Sequence, residues 1–259
     1  MKHKAIHDYI WDNVLEDNEI KDILNTDYNN KIVFNTFIAL YDNLLSSNSY
    51  DEELSNIIFD LTKNNNSKEI YEILKKEYLY RYVKINVKST EFPKDLKRIM
   101  YIPLRSNVYE LMIAVLSTLN TLGEHLLSIG KDRINFITPC DESGSGYEAI
   151  DTYTVDILNL KKLKLWYDYG EDWVFNIDFD KLEYLDEYVS FKIVKFKGKG
   201  IIEDNKYLLY SFLYNPESKH YDDFDDYDFS DYYDETLKEI TDRSLADYEI
   251  LLIRYSFEF

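Results

Sequence analysis

At 259 residues with 45% hydrophobic content, the chain has enough apolar surface to offset ordering entropy, which excludes global disorder and allows one large core or two small ones. Acids outnumber bases 49 to 30, for a formal net charge of −19, which disfavours nucleic acid, bound through Lys and Arg, and anionic membranes. A single cysteine, Cys140, admits no internal disulfide, and no segment approaches the roughly 20 apolar residues of a membrane span, so a cytoplasmic protein is expected.

The first residues are followed by acids rather than the apolar run of a secretion signal. Residues 1–78 read as a helical region. Ile6, Ile10 and Val14 form one short apolar face, and Phe34, Phe37, Ile38, Tyr41, Leu44 and Leu45 recur at helical spacing. Asp51 is a candidate cap for a helix with Leu54, Ile57, Ile58 and Leu61 inside. Asn64 to Ser67 breaks the pattern before Ile70, Ile73, Leu74 and Tyr78 resume it.

The period changes near residue 80, so residues 79–259 form the second expected region. Tyr80, Tyr82, Ile85 and Val87 predict a strand ending before Phe92-Pro93, with Arg98 to Ile102 as its antiparallel partner. Ser106 or Asn107 is placed to cap a helix running to Asn120. His125 to Ile137 reads as extended, and Asp141 to Gly146 as a loop. Leu163, Leu165 and Tyr167 alternate, as do Trp173, Phe175, Ile177 and Phe179 beyond Gly170, which predicts a hairpin. Phe191, Ile193 and Phe196 continue the sheet with a bulge near Val194, while Tyr207 to Tyr214 is ambiguous. Ser230 or Asp231 is expected to cap a helix to about Leu245, and Ile253, Tyr255, Phe257 and Phe259 alternate as a closing strand. Helices and strands mix without a βαβ rhythm, so the fold class expected is α+β: an antiparallel sheet packed with helices, plus the N-terminal helical region.

Several segments between about 80 and 235 occur in an order that resembles the plasmid pRiA4b ORF-3-like family, whose domains are associated with a transposon passenger protein, TnpR. Tyr167-Asp-Tyr-Gly-Glu-Asp-Trp173 resembles the family's Tyr-Asp-Phe-Gly-Asp-x-Trp. Tyr82 to Lys88 resembles its opening strand, and Arg98-Ile-Met-Tyr-Ile-Pro103 its Arg-Arg-Ile-x-Val-Pro segment. The helix with Glu110 and Leu111, then His125-Leu126, Glu203-Asp204, Asn215-Pro216 and Asp228-Phe229 follow in the family's order. The chain departs from the pattern at Phe175, where the family has His, and at Ile201 and Ile202, where it has prolines. A glycine pair after Glu-Asp is also missing. The resemblance implies a mobile-element or phage origin but no established reaction.

Asp168, Glu171 and Asp172 surround a glycine turn, where converging carboxylates suit Mg²⁺ or Ca²⁺. The plainer expectation is that Asp168 bonds the turn's amides while Glu171 and Asp172 face water. Tyr167 and Trp173 are expected in the core. His125 is a candidate general base beside Asp168 or Glu203, although a lone histidine at such a junction is more commonly structural. His3, His7 and His220 lack zinc-site spacing, and Cys140 has no thiol partner. No P-loop, dinucleotide fingerprint or nucleophile elbow occurs. Lys192, Lys195, Lys197 and Lys199 form a basic strip that offsets neighbouring acids.

Tyr221 to Asp234 alternates aromatics with aspartates but fails the EF-hand pattern, since Asp231 stands at the glycine position. Its carboxylates Asp222, Asp223, Asp225, Asp226 and Asp228 suit a basic protein partner. The leading expectation is therefore a non-enzymatic cytoplasmic binding protein, whose sharpest form is a DNA-mimic inhibitor, with no cofactor and no direct nucleic-acid contact. The alternative is a metal-assisted hydrolase or nuclease using His125, Asp168, Asp172 and Glu203.

Overall fold

A computed structural model of the chain describes residues 80–138, 146–152, 154–215, 229 and 232–256. The helical region expected over 1–78 and the carboxylates Asp222, Asp223, Asp225, Asp226 and Asp228 lie outside the described residues, as do 139–145. The chain divides into two compact units, one of Met1–Arg81 with Tyr184–Tyr188, the other of Tyr82–Glu183 with Val189–Phe259.

The architecture is α+β. Eight strands form one sheet: β1 (Arg81–Ser89), β2 (Lys97–Pro103), β3 (Leu127–Lys131), β4 (Ile134–Ile137), β5 (Tyr147–Glu148), β6 (Lys162–Tyr167), β7 (Trp173–Tyr184) and β8 (Lys192–Lys197). Their order across the sheet is β5-β4-β3-β6-β7-β1-β2-β8. β1 pairs antiparallel with β2, β2 with β8, β3 with both β4 and β6, and β6 with β7. β4 pairs with β5 in parallel, so the sheet is mixed rather than purely antiparallel. The run from His125 to Ile137 is two strands of a hairpin rather than one.

Alternation decides which side chains enter the core. Val83, Ile85 and Val87 of β1, Met100 and Ile102 of β2, and Phe175 and Ile177 of β7 are all buried. Burying side chains of this size stabilises by about 1.5–3 kcal/mol each. The bulge expected near Val194 is present: Ile99 faces Lys195 while Met100 faces Ile193, which leaves Val194 out of register.

Three helices are described: α1 (Val108–Ser117), α2 (Lys206–Tyr214) and α3 (Leu237–Ser256). Asn107 caps α1 in a reciprocal box with Glu110, the two bonds measuring 2.8 and 3.0 Å. Burial is the largest influence on the Glu110 carboxyl and raises its pKa against the opposing effects of the Asn107 amide, the Arg105 charge and a hydrogen bond from Ser106. Every residue of α1 but Glu110 is buried, which marks a helix packed on nearly every side. It packs against α3, where the Tyr109 hydroxyl donates to the Leu252 carbonyl at 2.5 Å.

Arg98 is fully buried beneath the end of α1. It donates to the Thr118 carbonyl from Nε (3.1 Å) and Nη2 (2.7 Å), and also to the carbonyls of Lys97, Lys197 and Lys199. Burial pulls its pKa down to about 9, which still leaves it charged at neutral pH.

Two expectations about the C-terminal segment are corrected. The helix begins after Thr236, not at Ser230 or Asp231. The Glu239 amide donates to Thr236 Oγ1 at 3.2 Å while the Thr236 amide donates to Glu239 at 2.8 Å. It then continues to Ser256, so Ile253 and Tyr255 belong to α3 and not to a closing strand. The reason is packing: Ile240, Ser244, Tyr248, Leu251 and Tyr255 recur every three or four residues and are buried, whereas Ile253 is 60% exposed. The ambiguous 207–214 segment is helical, capped by Asn205, whose Oδ1 accepts from the Leu208 amide at 2.9 Å. No helix among the described residues is long and apolar enough to cross a membrane.

Candidate metal centre

The turn between β6 and β7 follows from its sequence. Tyr167 and Trp173 face each other across the hairpin and are buried, as expected. Between them Asp168 and Asp172 adopt left-handed backbone angles, φ +54° and +55°. Asp tolerates this region better than most residues because its short side chain bonds locally. Asp168 Oδ1 accepts from the Gly170 and Glu171 amides at 3.1 and 3.2 Å, the plainer role expected of it. Asp168 is only 3% exposed, and its second oxygen, Oδ2, is buried with no hydrogen-bond partner. Such a group needs an explanation, and a bound ion is one.

His125 sits in the segment joining α1 to β3. Gly123, at φ +70°, permits the tight path, since a Cβ there would lie 2.2 Å from Leu251 Cδ2. The last turn of α3 holds this segment: Arg254 donates to the Leu122 carbonyl at 2.6 Å and the Tyr255 hydroxyl to the His125 carbonyl at 2.5 Å. Tyr167 meets the imidazole edge-on at 5.8 Å.

Asp204 reaches the site from the turn between β8 and α2, also in the left-handed region at φ +60°. Its Oδ1 stands 2.9 Å from His125 Nε2, and Asp168 Oδ1 stands 3.6 Å from Nδ1. The first contact is close but poorly directed, so Nε2 counts among the buried atoms with no hydrogen-bond partner. One ligand atom each from His125, Asp168 and Asp204 lies within 4.8 Å of the others. Ligands bound at about 2.0–2.2 Å to one ion stand roughly 3–3.5 Å apart, and an imidazole offers one ion a single nitrogen, so a shared site requires the carboxylates to draw in by about an ångström toward that nitrogen. The cluster opens on a cleft of about 510 Å³ lined by His125, Leu126, Asp168, Tyr169, Gly170, Glu171 and Asp204.

The sequence-proposed set His125, Asp168, Asp172 and Glu203 comes together only in part. Asp172 is exposed and absent from the cleft lining; its carbonyl accepts from Lys206 Nζ at 2.5 Å. Glu203 turns away from the cluster. Its carboxylate accepts from Thr121 Oγ1 at 2.8 Å, the Leu122 amide at 2.5 Å, the Glu124 amide at 3.3 Å and the Tyr167 hydroxyl. Glu171 is not simply solvated: its Oε2 accepts from the Lys206 amide at 2.9 Å and so caps α2. Asp204 is the acid that sequence reasoning passes over. The signal was its pairing with Glu203, because two adjacent acids in a turn point to different sides. Phe175, Ile201 and Ile202, where the chain departs from the family pattern, are all core residues and do not line the cleft.

No family model matches the chain, and no curated protein is significantly similar to it. Among solved structures, the fold is similar to that of the crystal structure of MM3350, a protein of unknown function from Methanosarcina mazei Go1. The TM-score is 0.54, over 62% of this chain and 97% of that one, at 16% identity. At that identity the likeness shows the fold alone.

Proposed function

We propose that His125, Asp168 and Asp204 hold one divalent cation and that the protein is a metal-assisted hydrolase. The observation that carries this is Asp168, whose Oδ2 is buried without a partner and whose side chain lies in one cluster with an imidazole and a second carboxylate. One imidazole with two carboxylates favours zinc or manganese over the all-oxygen preferences of Mg²⁺ and Ca²⁺. Three protein ligands leave positions for water and substrate. Both aspartates sit in left-handed backbone, the kind of local strain that concentrates at functional sites.

The pRiA4b ORF-3-like resemblance belongs to the same reading. It is supported by the way three of its separated motifs, His125-Leu126, Tyr167 to Trp173 and Glu203-Asp204, meet around one cleft. A binding role for Asp222, Asp223, Asp225, Asp226 and Asp228 toward a basic protein rests on residues outside those described, and the cytoplasmic setting on the single Cys140. The test is calorimetric titration of the untagged full chain with Zn²⁺, Mn²⁺, Mg²⁺ and Ca²⁺. One zinc or manganese ion per chain is expected, with binding lost in Asp204→Ala and Asp168→Asn. No binding by the wild type, or equal binding by both variants, would overturn the proposal.

A further inference from the structure

The walls of the cleft carry a chemistry of their own. Three of the lining residues are acids, Asp168, Glu171 and Asp204, and among the described residues no Lys or Arg lines it. A phosphodiester is held in known chemistry by cationic clamps in addition to metal, because its charge grows or shifts in the transition state. Here Asp168 and Asp204 would neutralise a divalent ion, and Glu171 would add negative charge beside it. A phosphate group is therefore poorly matched.

An apolar shelf stands next to the cluster. Tyr169 is 50% exposed, and its ring is fixed because its hydroxyl donates to Ser128 Oγ at 2.7 Å. Leu126 is 42% exposed on the same cleft. Leu126 is also tied to the site through its backbone, since its carbonyl accepts from the Asp168 amide at 3.2 Å. A fixed aromatic ring and a leucine beside a neutralised cation form a surface for an uncharged group with an apolar part. The cleft volume of about 510 Å³ suits a small organic molecule.

We infer that the site acts on an uncharged carboxylic ester or amide, with the acyl or aryl portion on Tyr169 and Leu126 and the carbonyl oxygen toward the cation. This rests on the metal-centre reading. In the ester case the oxygen of water bonds to the carbonyl carbon and the bond to the leaving alkoxy oxygen breaks. The proton that water gives up passes through the Glu171 carboxylate to the alkoxide, so an acid and an alcohol result with nothing oxidised.

The full chain loaded with zinc or manganese is assayed with p-nitrophenyl butyrate and with bis(p-nitrophenyl) phosphate, alongside a metal titration of the same preparation. Hydrolysis of the ester and not the phosphodiester is expected. Tyr169→Ala and Leu126→Ala should each raise KM about ten-fold with kcat and metal affinity little changed, the signature of lost uniform binding. Metal binding with phosphodiester hydrolysis, or with neither activity, would overturn this inference while leaving the metal centre standing. No metal binding would remove the reading beneath it. Unchanged KM in both variants would refute the shelf.

Discussion

The Glu203 carboxylate accepts a hydrogen bond from the Tyr167 hydroxyl, and at that point the neighbours of all three cluster residues are joined. Tyr167 precedes Asp168, Glu203 precedes Asp204, and Glu124, whose amide also reaches Glu203, precedes His125. Glu203 is thus a positioning residue that acts through others. Glu203→Gln keeps the volume but has one acceptor oxygen for donors that now use two. We expect it to weaken zinc or manganese binding by about 10–100-fold, in line with outer-shell changes at metal sites. Titration of wild type and variant side by side checks this, with circular dichroism to confirm the fold.

Asp168→Asn separates the two oxygens of one side chain. The amide oxygen can still accept from Gly170 and Glu171, so stability measured by urea denaturation should change by no more than about 1 kcal/mol. Cation binding should be lost. A collapse in stability would instead mark the carboxylate as structural.

Gly123→Ala should be strongly destabilising for two reasons acting together. A side chain at φ +70° is strained, and its Cβ would fall 2.2 Å from Leu251 Cδ2 on α3. A loss of about 2–3 kcal/mol is expected from thermal or urea denaturation, together with weakened cation binding as the His125 segment shifts.

Arg98→Met removes five donated hydrogen bonds from a fully buried position. The carbonyls left behind, above all that of Thr118 at the end of α1, have no water to replace it. We expect a loss of about 3–5 kcal/mol, read as a lowered urea midpoint. Arg98→Lys should rescue little, because an ammonium cannot span the same fork of carbonyls.

Asp95 gives a pH dependence. Burial alone would raise its pKa, but hydrogen bonds from Lys197, Tyr214 and Tyr233, with the Lys197 charge, outweigh burial and hold it below the usual value. A depressed carboxyl contributes stability above its unfolded pKa and loses it as pH falls through the folded value. The wild type should therefore be more stable than Asp95→Asn at neutral pH, and the gap should close as pH falls below about 4. Urea midpoints from pH 3 to 7 test it.

The parts of the fold with a single dominant period were legible. Tyr82 to Val87, Arg98 to Ile102 and the 163–177 hairpin alternate, and each forms the strand expected of it. The 253–259 segment misled because Ile253 and Tyr255 satisfy alternation while Tyr248, Leu251 and Tyr255 satisfy helical spacing. Burial against α1 and the His125 segment decides between them. At the site, His125 and Asp168 stood out as residue types in suggestive places. Choosing Asp204 over Glu203 needed three dimensions, since both are acids in one turn and only the hydrogen-bond partners of Glu203 show that it is occupied elsewhere.

The strand order has a kinetic consequence. Hairpins β1–β2, β3–β4 and β6–β7 each close over short loops, and such local contacts form early. The seam between β7 and β1 joins segments about ninety residues apart, marked by the Thr90 amide donating to the Val174 carbonyl. That closure and the pairing of β2 with β8, where Lys97 faces Lys197, are the long-range pairings of the sheet and are expected to form late. His125 and Asp168 lie on the β3–β6–β7 side of the seam, while Asp204 follows β8 on the other. A cation held by all three would fasten these late-forming pairings together, so adding it should slow unfolding more than it speeds refolding.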